Sequence, residues 1–312
     1  MNYKLKILTY PKKLLESFLI RYYKKRHKYK NLIDILYQRK FKKKIDWEKP
    51  GDLNQWISWL IINTDISKWS LLADKYRVRE YIKEKGYEDI LIPILAKWDS
   101  PENLNFTNLP DSFILKINNG SGDVVIIKDK NKVDINEIKQ YFKSLFNRDY
   151  GQMGEIHYSK IKPVIIAEEL LDPTKQSITT TSLIDYKVWS FNGKVESIWT
   201  CYDRCKESVK VMSYDTDWIA HPEWHGNSSH YLPADIILPK PKNLKRMIEI
   251  ASNLSKGFPQ MRIDFYEVGG RIYFGEITMS SNGMQMEFYN EKYLKYLGNK
   301  CKKETLNLKS ID

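Results

Sequence analysis

Two carboxylates near the C-terminal end of the sequence, Asp264 and Glu276, are placed so that they could bind a divalent cation together. They lie in two segments of alternating apolar and polar residues, 261–266 and 271–278, which are joined by a glycine-containing turn. Such alternation is typical of the half-buried strands of a hairpin. Directly paired residues have Cβ atoms roughly 5 Å apart, and carboxylates that close repel each other unless a cation or a proton lies between them. Because Mg²⁺ prefers hard oxygen ligands, the pattern predicts a magnesium site; surface carboxylates on an edge hairpin are the alternative.

The length of the turn decides whether these two carboxylates share a face. The grouping that we expect puts four apolar residues on the core face: Ile263, Phe265, Tyr273 and Ile277. The opposite face then carries Arg262, Asp264, Glu276 and Thr278. A two-residue turn would separate Asp264 and Glu276, so this grouping predicts a loop with an odd number of residues and a glycine in the left-handed conformation.

A lysine within an otherwise apolar segment indicates a phosphate site. Lys116 lies in the predicted strand 113–117 and directly precedes the loop 118–122, which has the sequence Asn-Asn-Gly-Ser-Gly. Backbone N–H groups of a glycine-rich loop can bind a phosphate, and a lysine adds a positive charge there. The order differs from the P-loop, in which the lysine follows the glycines. The alternative is a lysine on an edge strand that reaches into solvent ahead of a hairpin turn.

Two further segments could complete a nucleotide site. The predicted strand 163–167 ends at Glu168 and Glu169, where free backbone groups could hold an adenine edge beside a carboxylate for the ribose. This signal is weak by itself, because acidic residues commonly follow strands. Lys187 lies in the predicted strand 185–191 and is a second candidate for charge at the phosphates.

Four residues have the spacing of a zinc site, namely Cys201, Cys205, His221 and His225. The C-x3-C-x15-H-x3-H pattern resembles that of a zinc finger. However, the spacer is rich in turn residues and lacks the hydrophobic positions of a finger, and the order of the histidine segment differs from H-E-x-x-H. We therefore favour free thiols and loop histidines at these positions.

The composition is that of a soluble globular protein with a sizeable core. The chain has 312 residues, of which 42% are hydrophobic and 29% are charged, which suggests one large or two modest domains. Its apolar segments are too short to span a bilayer, and no signal peptide is expected. Three cysteines are too few for a disulfide framework and favour a reducing cytoplasm.

The net charge of +12 is confined to one end of the chain. Residues 1–44 contain 15 Lys or Arg against Glu16 and Asp34, a net charge of +13, so the remaining residues carry 12 − 13 = −1. A nucleic-acid enzyme would be expected to carry positive charge around its groove. The distribution therefore argues against nucleic acid as the partner.

The basic N-terminal segment also has helical periodicity. Its apolar residues recur at helical spacings, with lysines and arginines beside them: Leu14, Leu15, Phe18, Leu19 and Tyr22. Such a helix can lie on an anionic membrane, where each basic residue contributes about 1 kcal/mol. The alternative is a helix that docks on its own domain and keeps its basic face in solvent.

The order of the remaining segments predicts an α+β fold. The first 70 residues read as helices with short links, followed by a helix over 74–83, and 135–147 and 241–256 are further helices. A hairpin around Asn192-Gly193 connects strands 185–191 and 194–200. The segment 205–240 is expected to be irregular. The resulting division is a basic helical segment over 1–46, a helical region over 47–110 and a main domain over 111–312.

Taken in order, these segments resemble the ATP-grasp superfamily, and in particular the TupA-like family named for teichuronopeptide biosynthesis. The resemblance rests on six elements between about residues 50 and 295: Asp74-Lys75-Tyr76 with Val78-Arg79-Glu80-Tyr81, Phe113 to Gly122, Ile165 to Leu170, Asp185-Tyr186-Lys187, Arg262 to Tyr266, and Tyr273 to Thr278. It implies a fold in which two α+β subdomains hold ATP, here in a cleft between about 111–167 and 168–295.

The resemblance also implies roles for individual residues. Those that would contact ATP are Lys75, Lys116, Asn118, Gly120, Ser121, Gly122, Glu168, Glu169, Leu170 and Lys187. Asp264, Glu276 and Thr278 would ligate Mg²⁺. Arg262 would contact the acyl phosphate, and Lys187 would also act in catalysis by neutralising charge on the phosphate oxygens. Many members have asparagine where this chain has Thr278, and a hydroxyl is a poorer ligand than an amide oxygen, which leaves a second metal ion open.

The implied function is an ATP- and Mg²⁺-dependent ligase that joins a carboxylate to an amine through an acyl phosphate. The family suggests that it adds an amino acid or similar group to a cell-surface polysaccharide precursor, with a glycan or lipid-linked glycan as partner. A cytoplasmic protein held at the inner face of the plasma membrane would suit this role. A kinase that phosphorylates a sugar or another metabolite is the alternative, since it needs the same nucleotide site.

Overall fold

The computed structural model of the protein describes residues 3–120 and 122–309. Its N-terminal part consists of five helices: α1 (Tyr3–Lys25), α2 (Tyr29–Phe41), α3 (Leu53–Asn63), α4 (Ser67–Ala73) and α5 (Val78–Glu84). The prediction of helices over the first 70 residues is confirmed, and the helix expected from residue 74 begins at Val78, after a turn. Among the described residues, every helix is too short or too polar to cross a bilayer.

A four-stranded antiparallel sheet follows these helices. It contains β1 (Ile94–Trp98), β2 (Phe113–Ile117), β3 (Val124–Ile127) and β4 (Ile165–Glu168), in the order β1-β4-β2-β3. Phe113, Leu115 and Ile117 are fully buried, and they pack on the apolar face of α6 (Ile135–Phe146). The alternation along β2 leaves Lys116 on the opposite side of the sheet, facing away from this core.

A second, six-stranded sheet forms the larger part of the molecule. It contains β5 (Asp185–Phe191), β6 (Lys194–Tyr202), β7 (Val209–Tyr214), β8 (Tyr231–Pro233), β9 (Met261–Val268) and β10 (Arg271–Thr278), in the order β10-β9-β5-β6-β7-β8. The pairs are antiparallel except for β7 with β8. Helices α7 (Leu244–Leu254) and α8 (Glu291–Lys309) share its core with the N-terminal helices.

The predicted α+β class is correct, and the hairpin between β5 and β6 turns at Asn192 and Gly193 as expected, with positive φ at both residues. Two segments differ from the prediction. The segment 205–240, expected to be irregular, contains β7 and β8, and the region 47–110, expected to be helical, contributes β1. Most of β7 is buried on both faces. Its sequence therefore lacks the continuous alternation of apolar and polar residues by which half-buried strands are identified. The division at residues 46 and 110 remains a prediction.

The hairpin of β9 and β10 pairs Asp264 with Glu276, as predicted, but the turn and the register of the strands differ from the prediction. Val268 pairs with Arg271, so the turn contains two residues, Gly269 and Gly270, both with positive φ. The predicted odd-numbered loop is therefore wrong. The extra residue is in β10, where the register shifts between Phe274 and Glu276. Such a β-bulge restores the face that a two-residue turn would reverse.

The bulge also changes which aromatic residue of β10 faces the core. Before the bulge, Phe274 pairs with Phe265, and both are buried. Tyr273, predicted on the core face, instead pairs with Tyr266 and is half-buried on the other side. After the bulge, Ile277 pairs with Ile263 in the core as predicted.

Replacing the bulge residue Gly275 by alanine should disturb the position of Asp264. A Cβ atom at residue 275 would lie 3.0 Å from the Asp264 carbonyl oxygen and 3.3 Å from Cε2 of Tyr266. The neighbouring strand must move by a few tenths of an ångström, so we expect Gly275→Ala to lower the free energy of unfolding by about 1 kcal/mol. Urea denaturation measures this, with Arg271→Ala, an exposed residue of the same strand, as the control. Equal stability of the two variants would show that the strand tolerates the added methyl group.

Candidate functional site

Charged side chains meet on one face of the six-stranded sheet. Arg262 pairs with Thr278, Asp264 pairs with Glu276 on one side, and Asp264 pairs with Lys187 of β5 on the other. These paired positions place the five side chains on the same face. The core residues of β9 and β10 occupy the opposite face. The sheet thus brings together charged residues that are up to 276 − 187 = 89 positions apart in sequence.

Asp264 is the most enclosed of these groups. Its carboxylate is 1% exposed and accepts hydrogen bonds from Arg262 Nε at 2.8 Å and Nη2 at 2.9 Å, together with a hydrogen bond from Lys187 Nζ. Burial lowers the pKa of the Lys187 ammonium, but Asp185 and Asp264 outweigh it and raise this pKa above its ordinary value. Lys187 is therefore a permanent cation.

Glu276 is more open than Asp264, with one-third of its side chain exposed. Its oxygens lie 3.1 Å from Lys75 Nζ, 3.4 Å from Arg262 Nη2 and 3.3 Å from the Thr278 hydroxyl. Burial would raise the pKa of Glu276, but Lys75, Lys187 and Arg262 outweigh it and hold this pKa well below its ordinary value. The carboxylate is therefore ionised at all pH values near neutrality.

Lys75 connects the two sheets. It lies in the turn between α4 and α5, and its ammonium group donates to the Gly120 carbonyl oxygen at 2.6 Å as well as contacting Glu276. Its backbone N–H donates to the carbonyl of Asn118. Sequence reasoning placed Lys75 at the nucleotide only through the family resemblance. The structure places it between the glycine-rich loop and the paired carboxylates.

The glycine-rich loop is anchored at its first residue. The Asn118 side chain, 1% exposed, donates to the Lys162 carbonyl at 3.1 Å and accepts from Val164 N–H at 2.8 Å. Both ends of its amide are thus engaged with the backbone next to β4. Gly122 has a positive φ, and Ser121, which we predicted to contact ATP, lies outside the described residues.

Lys116 faces a buried carboxylate across the first sheet. Its Nζ lies 2.6 Å from Glu168 Oε2, and Arg79 Nη1 lies 3.6 Å from Glu168 Oε1. The side chain of Glu168 therefore anchors two cations, while Glu169 and Leu170 follow it at the end of β4. Glu169 is exposed, and its backbone N–H donates to the Pro93 carbonyl. Arg79 lies in one of the elements that carry the resemblance, but its role was not predicted.

The oxygen donors at the paired carboxylates fit a magnesium ion. An ionised carboxylate has about four lone-pair sites, and the contacts to Glu276 are few and long, which leaves donors for a hard cation. Thr278 is less available, because its hydroxyl accepts from Arg262 at 2.9 Å and donates to Glu276. Asp264 and Glu276 are the residues that could hold Mg²⁺.

Two charged residues to which the sequence assigned no role in the site, Asp185 and Arg204, also lie next to this group of charged side chains. Asp185 Oδ2 accepts from Arg204 Nη2 at 2.9 Å, and Asp185 lies 3.7 Å from Lys187. Asp185 could have been found, because it is two residues before Lys187 on the same strand and so shares its face. Arg204 reaches the site from an irregular loop, for which the sequence has no periodic signal.

The residues with zinc-like spacing do not form a shared cluster of ligands. Cys201 is buried in β6 next to the charged face, whereas Cys205 is exposed in the following loop. His221 stacks on Trp224 and contacts Glu223 at 2.7 Å. Within the described residues, no group of three or more His, Cys, Asp or Glu side chains is arranged to hold a metal ion.

Comparison with known proteins gives one sequence family and a set of solved structures. The sequence model of the family described as TupA-like ATP-grasp matches residues 55–302. No curated protein matches the chain. One similar structure is the D-alanine–D-alanine ligase from Bacillus anthracis with ATP, at 17% identity and a TM-score of 0.46; the match covers 79% of this chain and 70% of that chain. Another is the D-alanine–D-alanine ligase from Helicobacter pylori, at 15% identity and a TM-score of 0.44; the match covers 80% of this chain and 69% of that chain. A third similar structure is an L-amino acid ligase from Bacillus licheniformis, at 14% identity and a TM-score of 0.44; the match covers 82% of this chain and 56% of that chain.

Proposed function

This chain belongs to the TupA-like ATP-grasp family, and from that premise we propose that it joins a carboxylate to an amine in the biosynthesis of a cell-surface polysaccharide. It has the ATP-grasp fold and is an ATP-grasp ligase that uses ATP and Mg²⁺. The observation that carries the proposal is the face of the second sheet, where Lys187, Arg262, Asp264 and Glu276 lie at paired positions. The substrate carboxylate would be activated there.

The nucleotide would bind between the two sheets. We assign the adenine to the chain segment 168–171 and the phosphates to the glycine-rich loop 118–122. Lys75, Lys116 and Lys187 would supply positive charge around the phosphate oxygens; each of these ammonium groups contacts a carboxylate, namely Glu276, Glu168 and Asp264 respectively. Each of these lysines would exchange a carboxylate partner for a phosphate when ATP binds.

Asp264 and Glu276 would hold Mg²⁺, which supplies charge neutralisation at the phosphates when it is bound. The remaining work belongs to the side chains of the protein. Arg262 would orient the activated carboxyl group and stabilise the negative charge that develops when the amine attacks. Its guanidinium is suited to this role because four hydrogen bonds, to Asp264, Thr278 and Ser281, fix its plane.

The overall reaction would occur in two steps. A carboxylate oxygen of the substrate attacks the γ-phosphorus of ATP, which forms an acyl phosphate and releases ADP. The amine nitrogen then attacks the acyl carbon, and inorganic phosphate leaves as the amide forms. The kinase alternative shares the first half of this chemistry, but with a hydroxyl group as the nucleophile.

A screen of nucleotide turnover tests the proposal. The full-length protein is incubated with ATP and Mg²⁺, and ADP release is measured with uronic acids and amino acids added singly and in pairs. Joint dependence on a carboxylate and an amine supports the ligase. Release with a single hydroxylated compound, without any amine, would support the kinase and overturn the assignment.

We also propose that α1 binds the anionic inner surface of the plasma membrane, where a lipid-linked glycan precursor would be available. Leu14, Leu15, Phe18 and Tyr22 are 61%, 58%, 65% and 40% exposed, while Leu19 is half-buried. A helix docked on its own domain would bury this apolar stripe. The stripe lies in the segment with a net charge of +13, which complements an anionic surface.

Replacing Leu14 and Phe18 together by glutamate should release the protein from anionic vesicles. Each apolar side chain withdrawn from the lipid costs roughly 1.5 kcal/mol or more, so we expect affinity to fall by more than about tenfold. Co-sedimentation with phosphatidylglycerol-containing vesicles measures this. The double variant Ile219→Glu/Ile237→Glu, which alters equally exposed apolar residues elsewhere, is the matched control. Equal binding of both double variants would reject the membrane role of α1.

A further inference from the structure

One carboxylate beside the site differs from the others in its partners. Asp185, Asp264 and Glu276 each contact lysine or arginine. Glu155, in the loop before β4, instead accepts a hydrogen bond from the Ser280 hydroxyl at 2.6 Å, and the Gly283 backbone N–H lies near its carboxylate. Among the described residues its donors are neutral, and Arg262 acts on it only as a nearby charge.

Glu155 is connected to Arg262 through two neighbouring serines, Ser280 and Ser281. Arg262 binds Asp264 through Nε and Nη2, and its Nη1 donates to the Ser281 hydroxyl at 2.6 Å. The preceding residue, Ser280, donates its hydroxyl hydrogen bond to Glu155. Ser280 is therefore adjacent in the chain to the residue that binds Nη1, and Arg262 is close enough to act on Glu155 as a charge. We place the incoming amine on this side of Arg262, next to Ser280.

The surroundings of Glu155 make it a proton acceptor at neutral pH. Burial raises its pKa to about 7, and Ser280, Gly283 and Arg262 only partly offset this effect. His157, whose Nε2 lies 3.4 Å from Ser280 Oγ, is uncharged because burial lowers its pKa to about 3. Tyr158, which also lies close to Glu155, stays protonated because burial and the charge of Glu155 raise its pKa. A base is most effective when its pKa lies near the working pH.

Resting on the ligase function proposed above, we propose that Glu155 is the base that takes a proton from the amine substrate through the hydroxyl of Ser280. As the new N–C bond forms, the C–O bond to phosphate breaks, and phosphate leaves with its electron pair. The amine proton passes to Ser280 Oγ, and the Ser280 proton passes to Glu155 Oε1. The substrate that accepts the acyl group is therefore a primary or secondary amine that must lose a proton to a base. Its nitrogen atom would lie next to Ser280.

Glu155→Gln separates this role from a structural one. The amide oxygen can still accept from Ser280, so this contact to the loop is kept, but the amide cannot take a proton. General bases contribute about 100-fold or more. With the carboxylate and the amino acid or amino sugar found in the substrate screen, we therefore expect amide formation at neutral pH to fall about 100-fold. Glu287→Gln, in the neighbouring segment and paired with Lys40, is the matched control.

Hydroxylamine and the pH profile supply readouts that a structural role would not change. Hydroxylamine is uncharged at neutral pH and needs no base, so Glu155→Gln should lose far less hydroxamate formation than amide formation. The wild-type rate should rise with pH through about 7, where Glu155 loses its proton, and the variant should lack this rise.

Equal losses with both nucleophiles, or an unchanged pH profile, would overturn the role of Glu155 and leave the ligase function intact. If the wild-type protein forms no amide with any pair, the proposed function fails, and the role of Glu155 fails with it.

Discussion

Replacing Glu276 by glutamine is expected to reduce Mg²⁺-dependent ATP turnover about a thousand-fold. A loss of this size corresponds to about 4 kcal/mol in the activation barrier, which is in the range of the several kilocalories that a catalytic metal contributes. Glutamine has the same shape and keeps one oxygen towards Lys75 and Thr278. The variant therefore removes the negative charge and little else.

The position of Glu276 explains why this loss should be large. It is the more open of the two paired carboxylates, and it is also the contact point of Lys75, which holds the Gly120 carbonyl. Its pKa is held well below the ordinary value by Lys75, Lys187 and Arg262. The charge that the substitution removes is therefore present across the neutral range, and the loss should not depend on pH there.

Measurement of turnover against Mg²⁺ concentration tests this result. We expect a higher Mg²⁺ requirement in Glu276→Gln and an unchanged thermal unfolding transition. Glu249→Gln, which alters an exposed carboxylate on α7, is the control. Turnover near the wild-type rate at ordinary Mg²⁺ concentrations would exclude Glu276 as a metal ligand.

Replacing Arg262 by lysine is expected to lower amide formation about 100-fold while the protein still folds. Lysine keeps the positive charge, but it cannot reproduce the planar, two-pronged contact to Asp264 or reach Ser281 and Thr278 at the same time. An electrostatic donor at a developing negative charge contributes about 3 kcal/mol, which corresponds to about 100-fold. The conservative substitution should therefore retain structure and lose catalysis.

Arg262→Met separates charge from geometry. The Arg262 side chain is 8% exposed and Asp264 is 1% exposed. Removing the cation therefore leaves a buried carboxylate whose remaining ion-pair partner, within the part of the chain that the structure describes, is Lys187. Breaking a buried ion pair by removing one member costs about 3–5 kcal/mol. We expect Arg262→Met to be less stable than Arg262→Lys by urea denaturation, and both to be poor catalysts. Full activity in Arg262→Lys would show that a positive charge alone is sufficient and that the fixed plane of the guanidinium is not needed.

The elements close together in sequence were predictable from local pattern. Alternation over 261–266 and 271–278 defines a hairpin, and Asn192-Gly193 defines another, because both signals depend on neighbouring residues. Lys116 was recognisable because a charged residue in an apolar strand is unusual. The face that carries Arg262, Asp264, Glu276 and Thr278 was predicted correctly.

The same hairpin shows where local pattern fails. The turn has two residues, and the register is restored by a bulge at Gly275, in the middle of β10. An odd loop and a bulge have the same effect on the face of Glu276, so alternation at the two ends of the strands could not distinguish them. Tyr273, between the turn and the bulge, was assigned to the wrong face for this reason.

By itself, the sequence determined the α+β class, the paired carboxylates and the lysines, since each depends on the residue types within one or two strands. Only the tertiary structure decided how these groups are neutralised. Lys75 reaches Glu276, Arg79 reaches Glu168, and Arg204 reaches Asp185, each from a separate segment of the chain. The physical reason is that buried charges must be paired, while the partner is selected by how sheets and loops pack in space.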